Sequence, residues 1–203
     1  LSADIMGNWN AKPNEKRHLA RYGLTICKDI PAHPTAKQLK KIFKEKKWDW
    51  DEYHKISTIR NPFDLYVSRY FYGLEERNAE DLKWVRTSRQ ANDFNDFILD
   101  RLSKKNRQCF TNFYSSKSFL TEYDESTGKY EIIVDHIIKF ENLQEDFTKC
   151  IKKMQPSFTA STELEHLNKS NRGNYRDYYT DESRAFCEKY TDPFDLEIGN
   201  YTF

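Results

Sequence analysis

Apolar residues along this chain switch between helical and strand spacing, and the switches lay out its elements. From Thr35 to Lys47, Ala36, Leu39, Ile42 and Phe43 recur at the helical period with six lysines between and beyond them, which predicts a helix. His54–Ile59 carries a β-branched run ending at Arg60 and predicts a buried strand. A helix must follow at once. Asn61 suits the N-cap, Pro62 the first helical position and Asp64 the acid of a capping box, while Phe63, Val67, Tyr70 and Phe71 supply an apolar stripe. Further helices are expected over 79–86 and over 91–105, where Phe94, Phe97, Ile98 and Leu102 keep the period.

Residues 119–124 and 130–135 flank a turn-rich stretch at 125–129 and predict a hairpin, whose second arm is expected to run on from Tyr130 to Phe140 as a central strand. Glu141–Met154 reads as a helix with Leu143, Phe147 and Ile151 on one face; 155–175 reads as polar loop and 181–190 as a closing helix. Near the start, Ser2–Trp9 reads as the tail of a helix and Leu24–Cys27 as a short strand. Strands alternating with helices predict an α/β fold: one domain over residues 1–203, with a central, mostly parallel sheet flanked by helices.

Composition sharpens this picture only in part. Aromatic residues reach 15%, which predicts an aromatic-rich core, and a net charge of +1 means that any anion site must be local. The lysines of 37–47 are read as a solvated face rather than a binding strip. No apolar run approaches a membrane span, and no nucleic-acid partner is implied by the charge balance. Cys27, Cys109, Cys150 and Cys187 are scattered, which suits reduced thiols, and no histidine spacing favours a metal.

The candidate chemistry lies at Arg60–Tyr70. A strand ending in a guanidinium and running directly into a helix brings together a planar phosphate-binding fork, helix-start N–H groups and, at Ser68, a hydroxyl two turns along. The same pattern is also compatible with a plain helix start in which Arg60 pairs with a carboxylate.

The spacing Arg60-Asn61-Pro62-x-Asp64-x-x-x-Ser68-x-Tyr70 resembles the 3′-phosphate-binding motif of sulfotransferases that use 3′-phosphoadenosine 5′-phosphosulfate (PAPS), in their carbohydrate branch. Three further segments resemble that branch in the same order: His33-Pro34-Thr35-Ala36, Val134-Asp135 with Phe140-Glu141-Asn142-Leu143, and a tail from His166 through Tyr175–Thr180 to Tyr201-Thr202-Phe203. Leu65 stands where the family often has arginine, and Asn200 interrupts a usual glycine–tyrosine pair. The family's glycine-rich 5′-phosphosulfate loop has no counterpart among the six scattered glycines. The expectation is that this loop and the first strand belong upstream of Leu1.

The resemblance implies a P-loop NTPase-like sulfotransferase fold, PAPS as co-substrate without a metal, and a carbohydrate or other hydroxyl-bearing acceptor. It assigns Arg60, Asn61 and Ser68 to the 3′-phosphate and Arg172, in a late Arg/Gly loop with Lys169 and Arg176, as a further donor. His33 is the candidate general base, its alternative role being to cap the helix at Thr35. His166 is read as packing on aromatics, Tyr175, Tyr178 and Tyr179 as core or loop anchors, and Trp48, Trp50 and Trp84 as open candidates for stacking. The compartment would be cytoplasmic in a bacterial or viral protein and the Golgi lumen in a eukaryotic one. An inactive nucleotide- or anion-binding protein of the same fold, and a structural α/β domain, remain the competing readings.

Overall fold

In a computed structural model of the chain, the described residues are 5–6, 25–26, 34–75, 83–102, 115–154, 156, 164 and 171–203. Helices and strands are mixed, as expected, but the strands form three separate two-stranded sheets, and no central sheet occurs among the described residues. The chain divides into two compact units, residues 1–57 with 117–136 and residues 58–116 with 137–203.

In the first unit, β1 (Ile5–Met6) pairs in parallel with β2 (Thr25–Ile26). Ile5–Met6 is therefore strand where a helix tail was expected. Two adjacent apolar residues carry no period of their own, so pairing rather than pattern decides their state. Helix α1 (Ala36–Lys46) starts at a complete capping box: the Thr35 hydroxyl accepts from the Gln38 N–H while the Gln38 side chain accepts from the Thr35 N–H. Phe43 is buried and meets Trp48, Trp50 and Tyr53 edge-on, with ring centroids at 5.4, 5.2 and 5.1 Å. The two tryptophans are thereby scaffold for α1, while Lys37, Lys41, Lys44, Lys46 and Lys47 face solvent and Lys40 pairs with Glu122.

A single turn, α5 (Lys117–Leu120), precedes the hairpin of β4 (Thr121–Asp124) and β5 (Lys129–Ile132). The helices between α1 and α5 in sequence belong to the second unit. Gly128 closes the turn at φ 67°, in the left-handed region that favours glycine. The expected continuous strand from Tyr130 to Phe140 is broken. Asp135 donates its N–H to the Lys55 carbonyl at 2.9 Å and accepts the Lys55 N–H at 2.8 Å and its ammonium at 3.0 Å. This exchange bends the backbone between β5 and β6 (His136–Lys139). Burial works against the Asp135 carboxylate, but the Lys55 contacts hold its pKa below the ordinary value. Strand β6 pairs instead with β3 (Ile56–Ile59).

The second unit is built on α2 (Pro62–Glu75), whose Phe63, Tyr66, Val67 and Tyr70 are buried together with Phe94, Phe97, Ile98 and Cys187. Tyr66 extends the expected stripe, and its hydroxyl is satisfied by Thr191 at 2.8 Å. Helix α3 (Lys83–Gln90) ends later than expected, and residues 79–82 of the expected helix lie outside the described residues. Of the segment expected as one helix over 91–105, the described residues form a short α4 (Phe94–Asp96) running into a π-helix, Phe97–Leu102, and 103–105 lie outside the described residues. A 3₁₀ turn at Phe140–Asn142 leads into α6 (Leu143–Met154), and another at Tyr175–Tyr178 precedes α7 (Asp181–Tyr190) and the unexpected α8 (Pro193–Gly199). Cys150 and Cys187 are free thiols whose pKa burial pushes up; Cys27 and Cys109 lie outside the described residues. No described helix is long and apolar enough to cross a membrane.

Rings dominate this core: Tyr70 meets Phe94 and Phe97 at 5.9 and 5.4 Å, and Tyr179 meets Phe94 at 4.8 Å. Phe97 retains no exposed surface. Phe97→Ala should cost about 3–5 kcal/mol of stability, read as a lower denaturation midpoint in urea at an unchanged slope.

Candidate functional site

The start of α2 draws three distant parts of the second unit to one place. Asn61 caps the helix, its side-chain oxygen accepting from the Phe63 N–H at 3.0 Å, and Pro62 has no N–H to satisfy. Only the Asp64 amide is left over in the first turn. The helix-start N–H groups expected to greet an anion are thus mostly spent.

Asp64 occupies the place of a capping-box acid and does something else. Its Oδ2 accepts from Arg60 Nε at 2.7 Å and Nη2 at 2.5 Å, while its Oδ1 accepts from Arg172 Nη2 at 2.6 Å. Arg60 and Arg172 lie more than a hundred residues apart in sequence and share one carboxylate. The three side chains keep 20%, 18% and 13% of their surface for Arg60, Asp64 and Arg172, so the cluster is largely desolvated. Two cations on one anion leave a single positive charge within the trio, which the Glu141 carboxylate at the same helix start offsets. The Arg60 guanidinium also lies 4.2 Å over the Phe140 ring, which fixes its plane.

The cap that Asp64 does not close is closed by Glu141. Its Oε1 accepts the Asn61 N–H at 2.6 Å and its Oε2 accepts the Tyr201 hydroxyl at 2.8 Å. Burial first, and the Glu141 carboxylate second, raise the Tyr201 phenol pKa far above its ordinary value. Tyr201 in turn lies against Gly199, where a Cβ would stand 2.0 Å from the ring, so no other residue fits there without displacing it. Lys139 donates to the Gly199 carbonyl at 2.6 Å. Asn200, at φ 51°, is the C-cap of α8; asparagine is among the few side chains that tolerate that conformation.

Of the expected site residues, Arg60, Asn61 and Arg172 are brought together. Asn61 reaches the same loop as Arg172, its Nδ2 donating to the Tyr175 hydroxyl at 3.3 Å. Ser68 is half-buried on α2, one turn beyond Asp64 and so on the same helix face, and no described residue engages its hydroxyl. His33, His166 and Lys169 lie outside the described residues, as does the Trp84 side chain. The cap that was an alternative role for His33 is made by Thr35 itself. Tyr175, Tyr178 and Tyr179 are anchors: beyond the Asn61 contact, Tyr178 accepts from the Gly173 N–H at 2.9 Å and Tyr179 donates to the Phe63 carbonyl at 2.8 Å. Arg176 turns away to the Tyr175 ring, 4.5 Å from its centroid.

Sequence reasoning missed Asp64 as a shared partner and Glu141 as a remote cap. The first had a signal, the i,i+4 spacing of Arg60 and Asp64. The second had none, because the contact depends on where β6 ends relative to β3. An open cavity of about 300 Å³ lies in the first unit, lined by Lys40, Glu122, Asp124, Glu125 and Glu131, and includes none of the arginine-cluster residues. Comparison with protein-family models, curated proteins and solved structures returns no match for the chain.

Glu141→Ala should destabilise the protein by about 1 kcal/mol, the usual worth of a cap, because it strands the Asn61 N–H. It should also let one tyrosine titrate at lower pH, visible as an earlier phenolate absorbance step on alkaline titration. The sign follows from removing a neighbouring negative charge that disfavours the Tyr201 phenolate.

Proposed function

We propose that this chain is part of a PAPS-dependent sulfotransferase of P-loop NTPase-like fold, which moves a sulfuryl group to a hydroxyl of a carbohydrate-type acceptor. The observation that carries the reading is the meeting of Arg60 and Arg172 on Asp64. The resemblance to sulfotransferases assigned both arginines to one phosphate from two separate motifs. Their approach within one carboxylate's reach is what a shared 3′-phosphate site requires.

In this reading Arg60 and Arg172 neutralise the 3′-phosphate with forked, charge-assisted hydrogen bonds. Asn61 holds the start of α2, and Ser68 offers its hydroxyl from the same face. Transfer follows a loose in-line displacement, in which the acceptor oxygen bonds to sulfur as the bridging oxygen–sulfur bond breaks, and catalysis comes mainly from positioning and charge. His33 takes the acceptor proton as general base, leaving adenosine 3′,5′-bisphosphate and the sulfated acceptor.

A second reading has its own support. Asp64 already occupies both arginines, and the first-turn amides of α2 are largely spent, as a structural latch or an inactive anion-binding protein would have them. Titration calorimetry of the full-length protein with adenosine 3′,5′-bisphosphate separates the latch from both binding readings. Binding should be measurable, and Arg60→Ala or Arg172→Ala should each weaken it by about ten- to a hundredfold, the range for losing a charged hydrogen bond. No binding by the wild type removes the reading. Transfer of labelled sulfate to a carbohydrate acceptor then separates the enzyme from its inactive counterpart, and His33→Ala should lower turnover by roughly 10²–10⁴ with nucleotide affinity kept.

A further inference from the structure

We infer that Asp64 is a positioning residue: it fixes the spacing and orientation of the two guanidiniums before the phosphate arrives and stays in place when it binds. This rests on the sulfotransferase reading. Asp64 stands at the third helical position, where an acid ordinarily turns back to the N-cap amide. That amide is taken by Glu141 at 2.6 Å. The Asp64 carboxylate is consequently spared for the arginines, and it divides between them, Oδ2 to Arg60 and Oδ1 to Arg172.

The two arginines need this help unequally. Arg60 sits at the junction of β3 and α2 and is also held over the Phe140 ring. Arg172 lies in a stretch without regular secondary structure, and its other contact among the described residues is a 3.4 Å approach of Nη1 to the Gly173 carbonyl. Asp64 is therefore the main restraint on the Arg172 guanidinium among the described residues. Restraining a long side chain in advance removes part of the ordering cost that a ligand would otherwise meet.

Asp64 also does this without exhausting the donors. Each guanidinium carries five N–H groups, and the carboxylate engages Nε and Nη2 of one and Nη2 of the other. The guanidinium N–H groups that remain, beyond the Arg172 Nη1 contact with Gly173, are available to an anion that joins the cluster rather than replacing the carboxylate.

The test uses Asp64→Asn, which keeps the shape and one acceptor oxygen, with Asp64→Glu as the conservative rescue. Both would be examined in the full-length protein with adenosine 3′,5′-bisphosphate as the probe. Asp64→Asn should bind about tenfold more weakly, as second-layer positioning groups commonly do, and Asp64→Glu should recover most of that loss. The readout that a purely structural role would leave unmoved is the coupling of the arginines. Arg60→Lys and Arg172→Lys should be non-additive in the wild-type background and additive in Asp64→Asn. Equal or tighter binding by Asp64→Asn would show that the carboxylate competes with the phosphate, and would overturn the inference while leaving the sulfotransferase reading intact. Should Asp64→Asn fail to fold, Asp64→Glu carries the test alone: retained binding with retained arginine coupling supports the inference, and lost coupling sinks it. Absence of binding by the wild type would instead remove the reading on which the inference rests.

Discussion

A carboxylate shared by two guanidiniums organises the second unit, because everything around the start of α2 follows from where that charge is spent. An aspartate at the third position of a helix has local work available, and Asp64 leaves it undone. The orphaned amide of Asn61 must then be satisfied from elsewhere, since a buried N–H without a partner is costly. Glu141 does so from eighty residues away in sequence, and its second oxygen is then free to hold Tyr201. Tyr201 requires a glycine at 199, and the Gly199 carbonyl takes Lys139. One diverted side chain thus ties the β3–α2 junction, the end of β6 and the last residues of the chain into a single network.

The energetics of that network argue for placement over stability. Ion pairs that keep a fifth of their surface gain little net free energy, because desolvation offsets much of the attraction. The rings supply the stability: the buried Phe63, Tyr66, Phe94 and Phe97 remove far more apolar surface than a polar network can offset. What the charges add is geometry. Each hydrogen-bonded pair admits few arrangements, and a cluster of two arginines, two acids and an asparagine admits fewer still.

Much of this unit was legible from residue order alone, and the reasons differ by element. The stripe Phe63, Val67, Tyr70 and the cap at Asn61 are local features, set by helical period and by an asparagine–proline start, and they stand as expected. Helix α7 spans the expected residues, its start set by the Thr180 capping box with Ser183. Helix α8 was missed despite local signals in its Asp192 cap and Pro193 start, while other failures are non-local. The strand expected to run from Tyr130 to Phe140 breaks at Asp135 because Lys55, distant in sequence, takes the Asp135 N–H with its carbonyl and gives its own N–H to the Asp135 carboxylate. Ile5–Met6 is strand because β2 lies beside it, a fact two residues cannot announce. At the site, the arginines and the i,i+4 pairing of Arg60 with Asp64 were readable from spacing, but the approach of Arg172 to the same carboxylate was not. An acid next to a helix start carries the same letters whether it caps the helix or holds a distant arginine.

The source of positive potential at this site bears on what it can recognise. A helix start binds anions through a fan of backbone amides, which favours close contact and a fixed shape. Here Pro62 and the Asn61 side chain have taken most of that fan, and the remaining attraction comes from guanidiniums. Planar forks match tetrahedral oxyanions and tolerate several approach angles, so discrimination must come from how rigidly the forks are held. That rigidity traces to Asp64 for both arginines and to the Phe140 ring for one of them. On the proposed reading, therefore, the residue that looks most like an obstacle to phosphate binding is the one that gives the site its shape.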